Sequence, residues 1–180
     1  DIQKVKMEDD HTKVSISKTD ITDGKEIEGA KLQILDQDGE VVESWTTGEE
    51  HLIEYLPIGT YTLHEEAAVD GYIVANDVEF TVEETGEIQK VKMEDERAMG
   101  QLVIVKTDAD SKAALEGVEF VLLEKETGKE VGRLKTGKDG KAVSELLPIG
   151  TYENGVFKEP ITYVLKETAT LKGYEKTEEE

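Results

Sequence analysis

The 180-residue sequence contains no cysteine. A secreted β-domain of this size often carries a disulfide, so the absence leaves two readings: a reducing compartment, or a different kind of staple. No run approaches the ~20 apolar residues of a membrane span. Neither a signal peptide nor a C-terminal anchor pattern is visible, so the sequence reads as a piece excised from something longer. Basic residues are scarce: Lys and Arg number 21 against 42 Asp and Glu, a net charge of −21. A surface of that sign repels nucleic acid and anionic membranes, which argues against both as partners, and otherwise reads as a solvated exterior. Helical stripes are missing too, since no segment repeats apolar residues at 3.6 spacing over three turns. There is no Gly-rich phosphate loop and no acyl-transfer triad, so neither a cofactor nor a conventional enzyme is expected.

What is present is alternation. KVSIS, AKLQIL, EVVESW, TYTLHE, YIVA, VEFTVE and IQKVKM each read as a short strand rich in β-branched and aromatic residues. Between them fall the turn sequences TDGK, DQDGE, ETGE, ETGK and KDGK. Strands this short, with turns every ~8–12 residues, predict an all-β sandwich architecture.

The chain also repeats itself. VSISKTDITDGKEIEGAKLQIL at 14–35 answers to LVIVKTDADSKAALEGVEFVLL at 102–123, LPIGTY at 56–61 recurs at 147–152, and EEAAVDGY at 65–72 answers to ETATLKGY at 167–174. The offset between copies is 88, then 91, then 102, so the second copy carries about eleven extra residues around ENGVFKEP. A longer loop or an extra hairpin is the expectation there. The octapeptide IQKVKMED occurs twice, at 2–9 and at 88–95. The predicted organisation is therefore a last strand of a preceding repeat at 1–10, a first domain at 11–96, a linker at 97–100, and a second domain at 101–180 without its final strand.

Side chains at i, i+2 and i+4 of a strand share one face. In the first strand that face reads Val14, Ile16, Lys18; in TYTLHE it reads Tyr61, Leu63, Glu65; in the last strand, Val91, Met93, Asp95. Three apolar stripes thus end on ionisable residues. The second copy repeats this with Leu102, Ile104, Lys106 and with Tyr163, Leu165, Glu167, and the N-terminal octapeptide has Val5, Met7, Asp9. A charge at one strand end usually snorkels into water; the same charges in the same strands of both copies point to chemistry instead. In a dry site, desolvation disfavours charge, making an amine a better nucleophile and a carboxylic acid a better electrophile. A second carboxyl beside them can shuttle protons, and enforced proximity supplies the effective molarity. The expected product is an amide joining two side chains, with loss of water.

These motifs in this order, SKTD, GKEIEGAKLQI, LPIGTYTLHE, AAVDGY and VKMED, then VKTD, LEGVEF, GKDGKAVSELLPIGTY and KETATLKGY, resemble the CnaB-type (SpaA-like) domains of Gram-positive surface adhesins and pilins. The resemblance covers nearly the whole chain. It implies two tandem reversed-immunoglobulin-like β-sandwiches that form an intramolecular isopeptide bond autocatalytically, in a single turnover. It places the bonding lysine at Lys18, the catalytic glutamate at Glu65 rather than Glu66, and the acceptor at Asp95, so that water rather than ammonia is lost. In the second repeat it places the lysine at Lys106 and the glutamate at Glu167. The matching acceptor lies beyond residue 180; strand complementation between chains is the expectation for the N-terminal strand, either covalent through Asp9 and Lys106 or as non-covalent edge packing. The implied setting is an extracellular, cell-wall-anchored surface protein in which these repeats form a tension-bearing stalk beside further repeats of the same protein. The competing reading is a ligand-binding module whose loops, the 153–160 insertion foremost, grip a host protein or glycan.

Other constellations are weaker. DQDG at 36–39 and DAD at 108–110 lack full calcium-loop spacing and read as hairpin turns. His11, His51 and His64 fit no metal or nucleophile pattern. Trp45 and the tyrosines are expected to pack in the core or to shield the Lys–Glu–Asp pocket.

Overall fold

The structure, a computed structural model, describes residues 3–176 and contains sixteen strands and no helix among them. It divides into two compact units, Asp1–Arg97 with Tyr152–Phe157, and Ala98–Thr151 with Lys158–Glu180. The first unit contains β1 (Lys13–Asp20), β2 (Lys31–Leu35), β3 (Val41–Thr46), β4 (His51–Glu54), β5 (Gly59–Ala67), β6 (Val78–Val82) and β7 (Ile88–Asp95). Two sheets form from them, ordered β4-β1-β7 and β3-β2-β5-β6. The alternation in each strand sends one set of side chains inward. Val14 and Ile16 of β1 and Met93 of β7 meet Leu32 and Ile34 of β2 and Tyr61 and Leu63 of β5 in one buried core. The first and last strands lie side by side and parallel, in the register Lys13↔Ile88 to Asp20↔Asp95.

The rest of the chain forms β8 (Met99–Gly100), β9 (Val103–Val105), β10 (Glu119–Glu124), β11 (Glu130–Lys135), β12 (Lys141–Val143), β13 (Leu147–Pro148), β14 (Gly150–Glu153), β15 (Val156–Pro160) and β16 (Tyr163–Ala169), of which residues 152–157 of the β14–β15 hairpin belong to the first unit and the others to the second. Its pairings are β11-β10-β16, β12-β9, β13-β8 and β14-β15. The repeat seen in sequence extends to details of backbone. Leu32 pairs with Glu65 just after a register shift between β2 and β5, and Phe120 pairs with Glu167 just after the same shift between β10 and β16. Thr47 donates to Ile27 O and accepts from Ala30 N; Thr136 does the same with Leu115 O and Val118 N.

Turn chemistry follows the sequence closely. Gly39 of DQDGE and Gly140 of KDGK take φ of 81° and 72°, a region open to glycine at no steric cost. The extra residues of the second repeat make a hairpin, β14 and β15, whose Asn154 and Gly155 both have positive φ, 52° and 73°, as a tight primed turn requires.

Three expectations change. YIVA forms no strand beyond an isolated bridge between Tyr72 and Arg97. His51–Glu54, with only Leu52 and Ile53 as apolar residues, is a strand that the pattern did not announce. Residues 3–9 alternate like a strand but belong to none, and Val5 and Met7 are 83% and 84% exposed. A strand needs an edge to pair with, and an isolated extended segment buries too little to stay ordered in a ladder.

Candidate functional site

Lys18, Glu65 and Asp95 meet inside the first unit. Lys18 and Asp95 come from neighbouring strands of one sheet, β1 and β7, and Glu65 comes from β5 of the other. All three side chains are at most 1% exposed. Lys18 Nζ donates to Asp95 Oδ1 and stands 3.0 Å from Glu65 Oε1. Glu65 is held from its other side, where Oε2 accepts from the backbone N–H of Ala75 at 2.6 Å. The residues of YIVA therefore do have a purpose: their backbone reaches a carboxylate instead of a neighbouring strand. Glu66, the neighbouring candidate, is exposed.

Asp95 is held well above the ordinary carboxyl range, at about 6. Burial is the first cause; the facing Glu65 carboxyl adds to it, and Lys18 opposes it. Its second oxygen, Oδ2, is buried with no hydrogen-bond partner among the described residues. At its own register partner the opposite happens. Asp20 is 0% exposed and pairs with Asp95 across the β1–β7 ladder. Burial pushes Asp20 upward as well, yet donors outweigh it: Tyr72 Oη and Arg97 Nε reach Oδ2, both at 2.7 Å, and the Thr22 N–H reaches Oδ1 at 2.7 Å. The net position of Asp20 is below the usual value. Two buried aspartates in one ladder are thus separated by their donors: three for Asp20 and one cation for Asp95.

Asp20 was missed in sequence. The inward stripe Val14, Ile16, Lys18 continues by the same period to Asp20, and the signal lay in SKTD and VKTD, which end in aspartate in both repeats. Tyr72 and Arg97 were missed with it. In the second repeat the counterpart is Tyr174 Oη donating to Asp108 Oδ2 at 2.9 Å, an exposed pair.

In the second unit Lys106 Nζ donates to Glu167 Oε2 at 2.8 Å, with side chains 19% and 1% exposed. Asp9 lies in the exposed segment 3–9. The histidines are dispersed: His11 faces Glu54, His51 stacks on Trp45 and His64 bonds Asp77. No group of three metal-ligating side chains occurs among the described residues. At the two acidic turns, Asp36 and Asp108 accept from backbone N–H groups of their own turns. No helix among the described residues is long and apolar enough to cross a membrane.

Comparison with known proteins agrees with this architecture. Over 94% of its length the chain is similar to the Bacillus anthracis TIE protein, with 31% identity and a TM-score of 0.60. It also aligns over 96% of its length with a streptococcal ancillary pilin, at 21% identity and a TM-score of 0.46, and over 94% with the shaft pilin SpaA of Lactobacillus rhamnosus GG, at 17% and 0.42. The chain spans 30% of the length of the first and 57% of the second. A search of curated proteins finds no match. The family model described as SpaA, prealbumin-like fold domain, matches residues 12–97 and 100–159. The chain therefore belongs to the SpaA prealbumin-like family, with one matched segment in each repeat.

Proposed function

We propose that the chain is a stalk segment of a Gram-positive cell-surface adhesin or pilin-like protein, and that its first unit closes itself with an amide between Lys18 and Asp95. The observation that carries this reading is the dry triad: an amine and a carboxyl in hydrogen-bond contact, with a second carboxyl 3.0 Å from the amine.

The chemistry follows from the burial. Glu65 takes one proton from the Lys18 ammonium, and the freed amine attacks Cγ of the protonated Asp95 carboxyl. Glu65 then gives that proton to the departing hydroxyl and takes the second proton of the attacking nitrogen, so one C–N bond forms, one C–O bond breaks, one water leaves and Glu65 ends protonated. An Asp95 carboxyl that holds its proton to about pH 6 is the better electrophile. The Ala75 N–H fixes Glu65 so that it meets both partners without reorienting. The buried charges of Lys18 and Glu65 are both neutralised in the process, which removes the desolvation penalty of an ion pair in a dry core.

The position of the bond suits tension. β1 opens the unit, β7 closes it, and they run parallel, so a pull on the chain shears their ladder. An amide from Lys18 to Asp95 carries that pull directly from the first strand to the last and leaves everything between them unloaded. It is also the staple that the missing cysteines leave open. Tyr152 and Phe157, the aromatics of the inserted hairpin, pack edge-to-face on one another and Tyr152 meets Tyr72, so they do not form a free aromatic platform for a ligand.

Intact mass under denaturing conditions tests the proposal. The chain is expected one water lighter than its sequence, and Lys18→Ala and Glu65→Ala at full mass. Full mass in the unaltered chain overturns the covalent reading.

A further inference from the structure

We infer that Arg97 is a positioning residue for the Lys18–Asp95 amide. Through Asp20 and Asp23 it locks the register in which β7 lies on β1, and so selects the carboxyl that faces the amine. The inference rests on the chemistry proposed for the first unit and adds to it a residue outside the triad.

Two side-chain diagonals cross from β1 at the Asp95 end of its ladder with β7. Lys18 reaches Asp95, and two residues further along each segment Asp20 reaches Arg97; both pairs are 77 positions apart. The charges alternate: cation meets anion on the first diagonal, anion meets cation on the second. Arg97 Nε donates to Asp20 Oδ2 at 2.7 Å and Nη2 to Asp23 Oδ2 at 2.9 Å. One planar guanidinium thus holds two carboxylates, one at the last residue of β1 and one in the turn that follows. The Asp20 side chain is 0% exposed and that of Arg97 26%, so water screens this pair little.

This pattern distinguishes the correct register from its neighbours. A slip of two residues keeps every side chain on its own face, so the apolar stripes alone discriminate weakly against it. In one direction such a slip sets Lys18 against Arg97; in the other it sets Asp20 diagonally against Asp95 and leaves Lys18 facing Met93. Both place like charges together in a site with little water. A slip of one turns the stripe outward and brings Glu94 or Glu96 toward the amine, a wrong carboxyl of the right chemistry. Backbone bonds hold the same end of the pair, Ile21 N–H to Asp95 O and Ile73 N–H to Glu96 O, each at 3.0 Å. Any register offers a carbonyl to such a donor, so the choice falls to the side chains.

The reaction makes that choice consequential. A register step is about 3.3 Å, whereas a misplacement of about 1 Å at the reacting atoms is enough to cost ~100-fold in rate. The Tyr72 hydroxyl is outside the lock, because Arg97 and the Thr22 N–H hold Asp20 without it.

The test is the rate of water loss. The full chain is made by cell-free synthesis, sampled into denaturant at intervals and weighed intact, and proteolytic mapping then identifies the bonded carboxyl. The unaltered chain is expected to become one water light through Asp95 alone. Arg97→Ala should close on the order of tenfold more slowly, leaving chains unbonded or bonded at Glu94 or Glu96. Arg97→Lys keeps the charge without the two-pronged reach and should fall between the two. Asp23→Asn, at the exposed end of the lock, should slow closure least. Val82→Ala controls for lost stability: it truncates a buried residue of β6 opposite Gly59, at the far end of β5 from Glu65, and should close at the unaltered rate. Arg97→Ala slowed no more than Val82→Ala overturns the inference and leaves the amide standing. If Arg97→Ala does not fold, Arg97→Lys and Asp23→Asn decide in its place, and the unaltered rate in both overturns the inference. An unaltered chain that stays at full mass overturns the amide itself.

Discussion

The two repeats hold the same lysine and glutamate at equivalent places, Lys18 within β1 and Lys106 just past β9, yet the lysines differ in dryness while the glutamates do not. Lys18 is 1% exposed and Lys106 19%; Glu65 and Glu167 are 0% and 1%. Each glutamate sits at the same register shift beside the strand it pairs with, so its burial is built by its own sheet. The lysine is different. In the first unit it is covered by β7, the strand that also brings Asp95, so one strand supplies both the facing carboxyl and the desolvation.

The largest expected consequence of this difference is in stability. Lys18 and Asp95 are 77 positions apart, and by the chain-entropy treatment of cross-links a loop that long is worth about 4–5 kcal/mol. Lys18→Ala should therefore lower the thermal transition of the first unit by about 20 °C or more. Lys106→Ala should shift the second unit's transition far less, since the Lys106 side chain is 19% exposed where that of Lys18 is 1%. Calorimetry on the two variants checks the contrast, and equal shifts would break it.

A smaller effect is set by Asp95. In a Glu65→Gln chain, unable to form the amide, Asp95 still titrates, and burial remains the first cause of its raised position. Its folded carboxyl is held by burial above the ordinary 3.8, with the Glu65 contribution to the shift removed. Above that ordinary value the folded state binds more protons than the unfolded one, so stability is full below about 4 and falls as pH rises through the raised folded value. Denaturant titrations of Glu65→Gln and of Glu65→Gln/Asp95→Asn over pH 4–7 isolate this contribution as their difference. The slope is expected to be negative; a flat or rising difference would mean that Asp95 is not desolvated. With the proposed amide in place, the unaltered chain is expected to show no such slope, because an amide does not titrate there.

Much of this was legible in the residues. Period-two alternation is enough to put Lys18, Glu65 and Asp95 on inward faces, and the internal repeat is enough to align Lys106 and Glu167 with them. Asp20 followed from the same rule but was lost because the stripe was ended at the first charge. YIVA was misread for a physical reason: its extended, β-branched residues have strand propensity, but its N–H groups go elsewhere, Ile73 to Glu96 O and Ala75 to Glu65. Propensity reports a tendency to extend and says nothing of which acceptor is met. The opposite error applies at residues 3–9, where the pattern is that of β7 and the pairing edge is missing.

The smallest effect separates the two tyrosine–aspartate pairs. Tyr72→Phe removes a donor from Asp20, which is wholly buried, while Thr22 N–H and Arg97 Nε stay in place. A buried carboxylate that loses one of three donors should cost about 1 kcal/mol, toward the low end for an unsatisfied buried group. Tyr174→Phe removes the equivalent donor from Asp108, whose carboxylate is exposed and keeps the Ser111 N–H and hydroxyl; water replaces the lost contact, and no measurable shift is expected. Both variants should remain one water light, since neither tyrosine touches Lys18, Glu65 or Asp95. If Tyr72→Phe instead leaves a fraction of the chain at full mass, Asp20 and Tyr72 position β1 for the reaction and their role is more than structural. The contrast would then extend from how the repeats are stabilised to how fast each can close.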